Sequence, residues 1–161
     1  MFMTFVVPRF LTNPRNKEKK EFFSSFSRLV SDTTYQALTT KKIHQVFFDI
    51  EHHTIQVKIH SPSPQETDKH EQFKPVPDGT FHSSMPIPEF LVVKNFFIQG
   101  VDEVKPGKNF LNAWFYIMPD GTSQAVIINI ENESETVDNQ FAIVINPFYS
   151  QAKLHDTFTK P

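Results

Sequence analysis

The 161-residue chain contains no cysteine, which removes thiol nucleophiles, disulfides and thiolate-bound zinc from consideration. That absence says little about compartment. Glycine occurs four times against twelve prolines, so loops are stiffened more than loosened, and no glycine-rich phosphate loop exists. No serine sits in a GxSxG elbow, and the seven histidines show neither HxH nor HExxH spacing. Net charge is only −2, so no bulk attraction draws the chain to nucleic acid, and none is expected as a partner. No apolar run reaches the roughly 18–20 residues of a membrane span.

What the chain does hold is phenylalanine, 18 residues of it against one tryptophan and three tyrosines, enough with the aliphatics to fill the core of one domain. Apolar residues crowd the start: Met1, Phe2, Met3, Phe5, Val6 and Val7 are six of the first seven. As helix, those seven residues cover about 10 Å, a third of a bilayer core. A signal peptide fits poorly, because the apolar residues come first and Pro8 and Arg9 follow, the reverse of the required order. The one basic cluster, Arg15 to Lys20, contains Glu18 and reads as a solvated helix start.

Residues 17–41 predict one amphipathic helix. Phe22, Phe26, Leu29, Val30, Thr33, Ala37 and Leu38 recur at the helical period, with Lys19, Lys20, Ser24, Ser27, Ser31, Asp32 and Gln36 opposite. The period then changes. Residues 43–50 and 54–59 read as strands joined by a turn at 51–53, with Ile55, Val57 and Ile59 alternating against Gln56 and Lys58. Residues 61–79 are polar and Pro-rich, hence an excursion. Strands are expected at 90–101, 113–118, 123–130, 140–147 and 152–158. Pro119-Asp120-Gly121-Thr122 predicts a β-hairpin turn between the second and third of them. The same tetrapeptide at 77–80 has different flanks and reads as an independent turn. The expectation is an α+β fold, one long N-terminal helix packed on an antiparallel sheet spanning 43–158, with residues 1–16 set apart.

Chemistry-bearing clusters are sparse. Adjacent His52 and His53 point to opposite faces if on a strand, and with the other histidines they read as surface residues. Asp49 and Glu51, and the run Glu131, Glu133, Glu135 and Asp138, are candidate calcium ligands without the spacing of a calcium loop. Each has the plainer reading of a charged strand end or turn. Trp114, Phe115 and Tyr116 admit a ligand-binding face for carbohydrate or peptide, but alternation of core and surface explains them equally. No catalytic residue, metal or cofactor is assigned, and the chain is expected not to be an enzyme; a metal-assisted hydrolase is the weakest alternative.

The order of the parts carries a resemblance. FVVPRFL (Phe5 to Leu11) is similar to the proline-bearing exit of a membrane helix. The amphipathic stretch Phe22 to Lys42 follows, then IHQVFFDIEHHTIQV (Ile43 to Val57), then FYIMPDGTSQAVIINI and FAIVINPFYSQAKL. In this order they resemble the type IV pilin-like family, in particular the pseudopilins of type II secretion systems, most like the H-type minor pseudopilins and their FimT-like relatives. The leader, the methylated first Phe and the membrane-embedded Glu of that family are not in this sequence. The resemblance covers most of the chain at both ends and is vague from Ser61 to Gly107. The resemblance implies a structural subunit of a secretion or pilus-like filament that assists assembly and protein export. It implies a single-pass inner-membrane anchor, a periplasmic globular domain, and other pseudopilins and the inner-membrane assembly platform as partners. Phe5, Val6, Val7 and Pro8 are the assembly residues it points to, as the end of an anchor whose greater part would precede Met1.

Overall fold

The computed structural model describes residues 17–64, 68, 72–77 and 79–161. Helix α1 (Lys17–Thr40) buries Phe22, Phe26, Leu29, Val30, Thr33 and Ala37 along one stripe, as the periodicity predicts, whereas Leu38, expected in the same stripe, is exposed near the helix end. Thr33 reaches the core because its hydroxyl donates to the Leu29 carbonyl at 2.6 Å, so no polar group is stranded. Lys41 ends the helix in the left-handed conformation (φ 56°), its amide donating to the Ala37 carbonyl at 3.0 Å. Lys19, expected on the polar face, is buried. Its ammonium lies 2.9 Å from Asp156 and 5.9 Å from the centre of the Phe141 ring, so the long stem packs while the charge is met by a carboxylate from the chain's far end.

Among the described residues ten strands form two antiparallel five-stranded sheets. The first contains β1 (His44–Asp49), β2 (Thr54–His60), β3 (Phe73–Pro75), β4 (Ser84–Pro86) and β7 (Asn112–Ile117), in the order β3–β2–β1–β7, with β4 sharing the outer edge of β2. The second contains β5 (Leu91–Ile98), β6 (Val101–Asp102), β8 (Val126–Asn132), β9 (Gln140–Asn146) and β10 (Gln151–His155), in the order β10–β9–β8–β5–β6. The α+β architecture holds, but the single sheet expected from sequence is two. The reason lies at the turn 118–122. It is tight, with the Gly121 amide donating to Met118 and the Met118 amide to Thr122, and it makes one bridge, Ile117 to Ser123. The strands then part, since β7 pairs with β1 along its whole length while β8 runs between β5 and β9. The expected hairpin is therefore a sheet-to-sheet corner.

The 61–79 excursion, expected as loop, contains β3, and β4 follows it, each only three residues long. A bulge at Lys94 keeps Leu91 and Phe96 on the inner face of β5. At the centre, the Phe48 ring of the first sheet meets Phe26 of α1 at 5.7 Å and Phe96 of the second sheet at 5.0 Å, edge-on. The chain's last residues cross the outer face of the second sheet. The Asn129 carboxamide accepts from the Thr159 amide (3.0 Å) and donates to the Thr159 carbonyl (3.1 Å), and Pro161 reaches Gly100 beyond β5. Ala142, beside Asn129 on that face, is fully buried.

Candidate functional site

Phe5, Val6, Val7 and Pro8 lie outside the described residues, as does the whole 1–16 segment. What the structure offers for assembly is the surface of α1 and the two ends of the molecule. The outward stripe of α1 is polar over its first half, with Lys17 and Glu21 paired at 3.7 Å and Arg28 and Asp32 at 3.8 Å. Both are exposed pairs of small energetic weight. Beside the first two turns runs a groove of about 340 Å³, with Phe22, Met85, Pro86, Pro88 and Phe90 supplying apolar surface, Glu18 and Glu21 along one wall, and His82 in the lining. Helix α1 forms that wall because its stripe turns Phe22 inward while Glu18, Glu21 and Ser25, spaced three and four apart, follow the edge.

At the other end of α1 the polar stripe gives way to Tyr35 and Leu38, both exposed. Leu38 lies against the 119–122 turn, where a Cβ on Gly121 would come within 3.3 Å of its side chain. Asp120 braces that turn by accepting from the Thr122 amide and hydroxyl (3.0 and 2.7 Å), which holds its carboxyl below the usual range. The β9–β10 turn stands beside it, carrying exposed Phe148 and Tyr149. Sequence reasoning had placed these two between strands without a role. The signal available was two aromatics after Asn146-Pro147, outside any alternation.

The chemistry-bearing candidates do not converge. Asp49 ends β1, and both its carboxylate oxygens lie 2.9 Å from His52 Nδ1, which raises the histidine above its ordinary pKa. Glu51 and His53 are exposed in the same turn. Glu131 and Glu133 share the Lys94 ammonium at 3.4 and 3.9 Å, so a cation already answers their charge. Among the described residues no three His, Asp or Glu side chains gather as a metal-ligand set. The surface reading of the histidines needs one correction. His44 is buried with Nδ1 3.0 Å from the Lys42 carbonyl oxygen, and burial pulls its pKa down. It sits at the start of β1, where the chain leaves the helix and enters the sheet.

Of the three aromatics at 114–116, Phe115 is core, while Trp114 and Tyr116 face outward from β7. There Trp114 stacks on Phe47 (6.1 Å) and donates to the Tyr116 hydroxyl (3.1 Å), and Phe73 closes on Tyr116 at 5.3 Å. Lys58 lies 3.6 Å over the Phe47 ring, and desolvation lowers its pKa. This is a second, smaller aromatic layer on the outer face of the first sheet.

No protein-family model matches the chain, and no characterised protein matches it in sequence. Solved structures do match in fold. A structure of the minor pseudopilin EpsH from the type II secretion system of Vibrio cholerae superposes with a TM-score of 0.61 at 11% identity, covering 91% of this chain and 99% of that one. Another structure of EpsH from the same organism gives 0.57 at 12% identity, over 84% of this chain and 94% of that one. The described residues therefore share the fold of a minor pseudopilin, with one helix ahead of antiparallel sheets and packed on them.

Proposed function

We propose that this chain is a pseudopilin-like filament subunit of a type II secretion or related system, acting by assembly and not by catalysis. The observation that carries the reading is the superposition on EpsH over nearly the whole of both chains, with α1 as the first element of the domain in residues 17–161. The apolar residues Phe5, Val6 and Val7 with Pro8, a few residues before α1, supply independent support from sequence. In this reading they end a membrane helix that packs with those of neighbouring subunits through van der Waals contacts. The sheets stand in the periplasm and select neighbours, which are other pseudopilins and the inner-membrane assembly platform. In this reading the mature N-terminus of a full-length form carries a methyl group. No cofactor takes part.

The test is the DNA upstream of the Met1 codon. The subunit reading expects an in-frame apolar stretch preceded by Gly-Phe-Thr, and a full-length product that fractionates with the inner membrane. An in-frame stop just before Met1 ends it. A second reading, a soluble β-rich module for carbohydrate or peptide, rests on the Phe47–Trp114–Tyr116–Phe73 layer. Heat on titration with oligosaccharides, lost on Trp114→Ala, would favour it.

A further inference from the structure

Seven large apolar side chains are exposed among the described residues, and four of them share one end of the molecule. Tyr35 (67%) and Leu38 (41%) lie one turn apart at the close of α1, and Phe148 (75%) and Tyr149 (74%) form the β9–β10 turn. The two elements are locked together. Leu38 packs against Gly121, the Gly121 carbonyl accepts from the Ser150 hydroxyl at 2.7 Å, and the Pro147 carbonyl accepts from the Ser123 amide at 2.8 Å. Within the turn, Asn146 Oδ1 accepts from the Phe148 amide at 2.9 Å, and Ser150 is buried with φ at 49°. Two aromatic rings are thus offered to water on a fixed support, which lowers the ordering cost of burying them in a partner. Exposed Lys41 and Lys42 follow α1 at the same end.

The groove beside the first turns of α1 has the opposite character. Its surface is apolar (Phe22, Met85, Phe90) and its wall acidic (Glu18, Glu21). The 24 residues of α1 put roughly 36 Å between the two ends, so tip and groove of one copy cannot meet. An aromatic tip at the end that carries Lys41 and Lys42, with Asp120 the acidic residue of the adjoining turn, and an apolar groove walled by Glu18 and Glu21 complement each other in polarity and charge. Pairing of that kind is heterologous and runs head to tail. Glu21 is free to change partner, since its pair with Lys17 is long at 3.7 Å and both side chains are well exposed.

We infer that the Phe148–Tyr149 tip, flanked by Lys41 and Lys42, docks into the Glu18–Phe22–Met85–Phe90 groove of a second copy of this chain. The inference rests on the subunit reading above and names a partner for it. The 161-residue chain should sediment with a mass that grows with concentration toward about millimolar, the range of a contact built on few anchors. Phe148→Ala with Tyr149→Ala should weaken this association at least about tenfold. Glu18→Lys with Glu21→Lys should abolish it, as should Lys41→Glu with Lys42→Glu, and mixing these two charge variants should restore it. All are surface changes, so circular dichroism should show an unaltered fold. A chain that stays monomeric overturns the inference. So does association that survives the tip and groove changes, which would place the contact in the apolar N-terminal residues. The upstream reading frame tests the subunit role without this contact, so an anchor found upstream of a monomeric chain ends only the head-to-tail pairing.

Discussion

His44 shows how one side chain can tie stability to pH. It is buried, and burial is the main reason its pKa falls below the ordinary 6.5; the Lys42 carbonyl pulls it up and the Lys42 charge pushes it down. A histidine with a depressed folded pKa binds its proton more readily in the unfolded chain. Above 6.5 both states are neutral there and it contributes nothing to the pH dependence. As pH falls below 6.5 the unfolded chain takes the proton first, so stability drops until pH passes beneath the folded value. His52 works in the other direction, since Asp49 raises its pKa: its contribution is present below 6.5 and fades as pH rises through the folded value, but the site is fully exposed. Urea midpoints of the parent and of His44→Gln between pH 7.5 and 5 should therefore diverge. The parent should lose stability faster on the acid side, and parallel curves would show that His44 does not titrate in this way.

Among elements, the 118–122 turn does most to decide the architecture. Pro119 presets φ for the turn, and Gly121 takes φ +84°, a conformation that costs other residues about 1–2 kcal/mol. A Cβ there would also press on the Leu38 side chain at 3.3 Å. Gly121→Ala should lower unfolding free energy by about 1–2 kcal/mol in urea titration. Adding Leu38→Ala should recover only the contact and not the backbone share, so full recovery would refute the conformational account. This turn was legible in sequence because proline, aspartate and glycine each act locally. Its role was not, because β7 pairs with β1 and β8 with β5, partners far back in the chain that no local residue pattern names. Helix α1 was legible almost to its ends, since a buried stripe recurs from Phe22 to Ala37; Lys19 was misplaced because its partner, Asp156, comes from the other end of the chain, and Leu38, expected in the stripe, is exposed. The proposed assembly residues, Phe5 to Pro8, rest on sequence alone and lie outside the described residues. The Phe148–Tyr149 tip could be read only from structure, where exposure separates these rings from the buried phenylalanines.

At the scale of the whole molecule, helix and sheets are joined twice, once through the core at Phe48 and once around the outside. The outer route starts at Lys19, passes to Asp156 at 2.9 Å, and continues along the last residues to Asn129 on β8 and on to Gly100. The Lys19 ammonium holds the Asp156 carboxyl below its usual range. Asn129 is almost fully buried and spends its carboxamide on the Thr159 backbone and on Asn95, as a neighbouring strand would. Asn95 in turn donates to Asp102, which accepts from the Phe96 and Val104 amides, so the strap ends in a network that fixes the β5–β6 corner. Removing residues 157–161 leaves Lys19 and Asp156 in place to pair but strips two hydrogen bonds from the buried Asn129. The loss should be about 1–3 kcal/mol. Native-state hydrogen exchange should then quicken in β5 and β8 while the core of α1 keeps its protection relative to the global value. Equal loss across α1 and both sheets would mean that the strap stabilises only the whole fold, and unchanged protection at β8 would mean that it carries no load there.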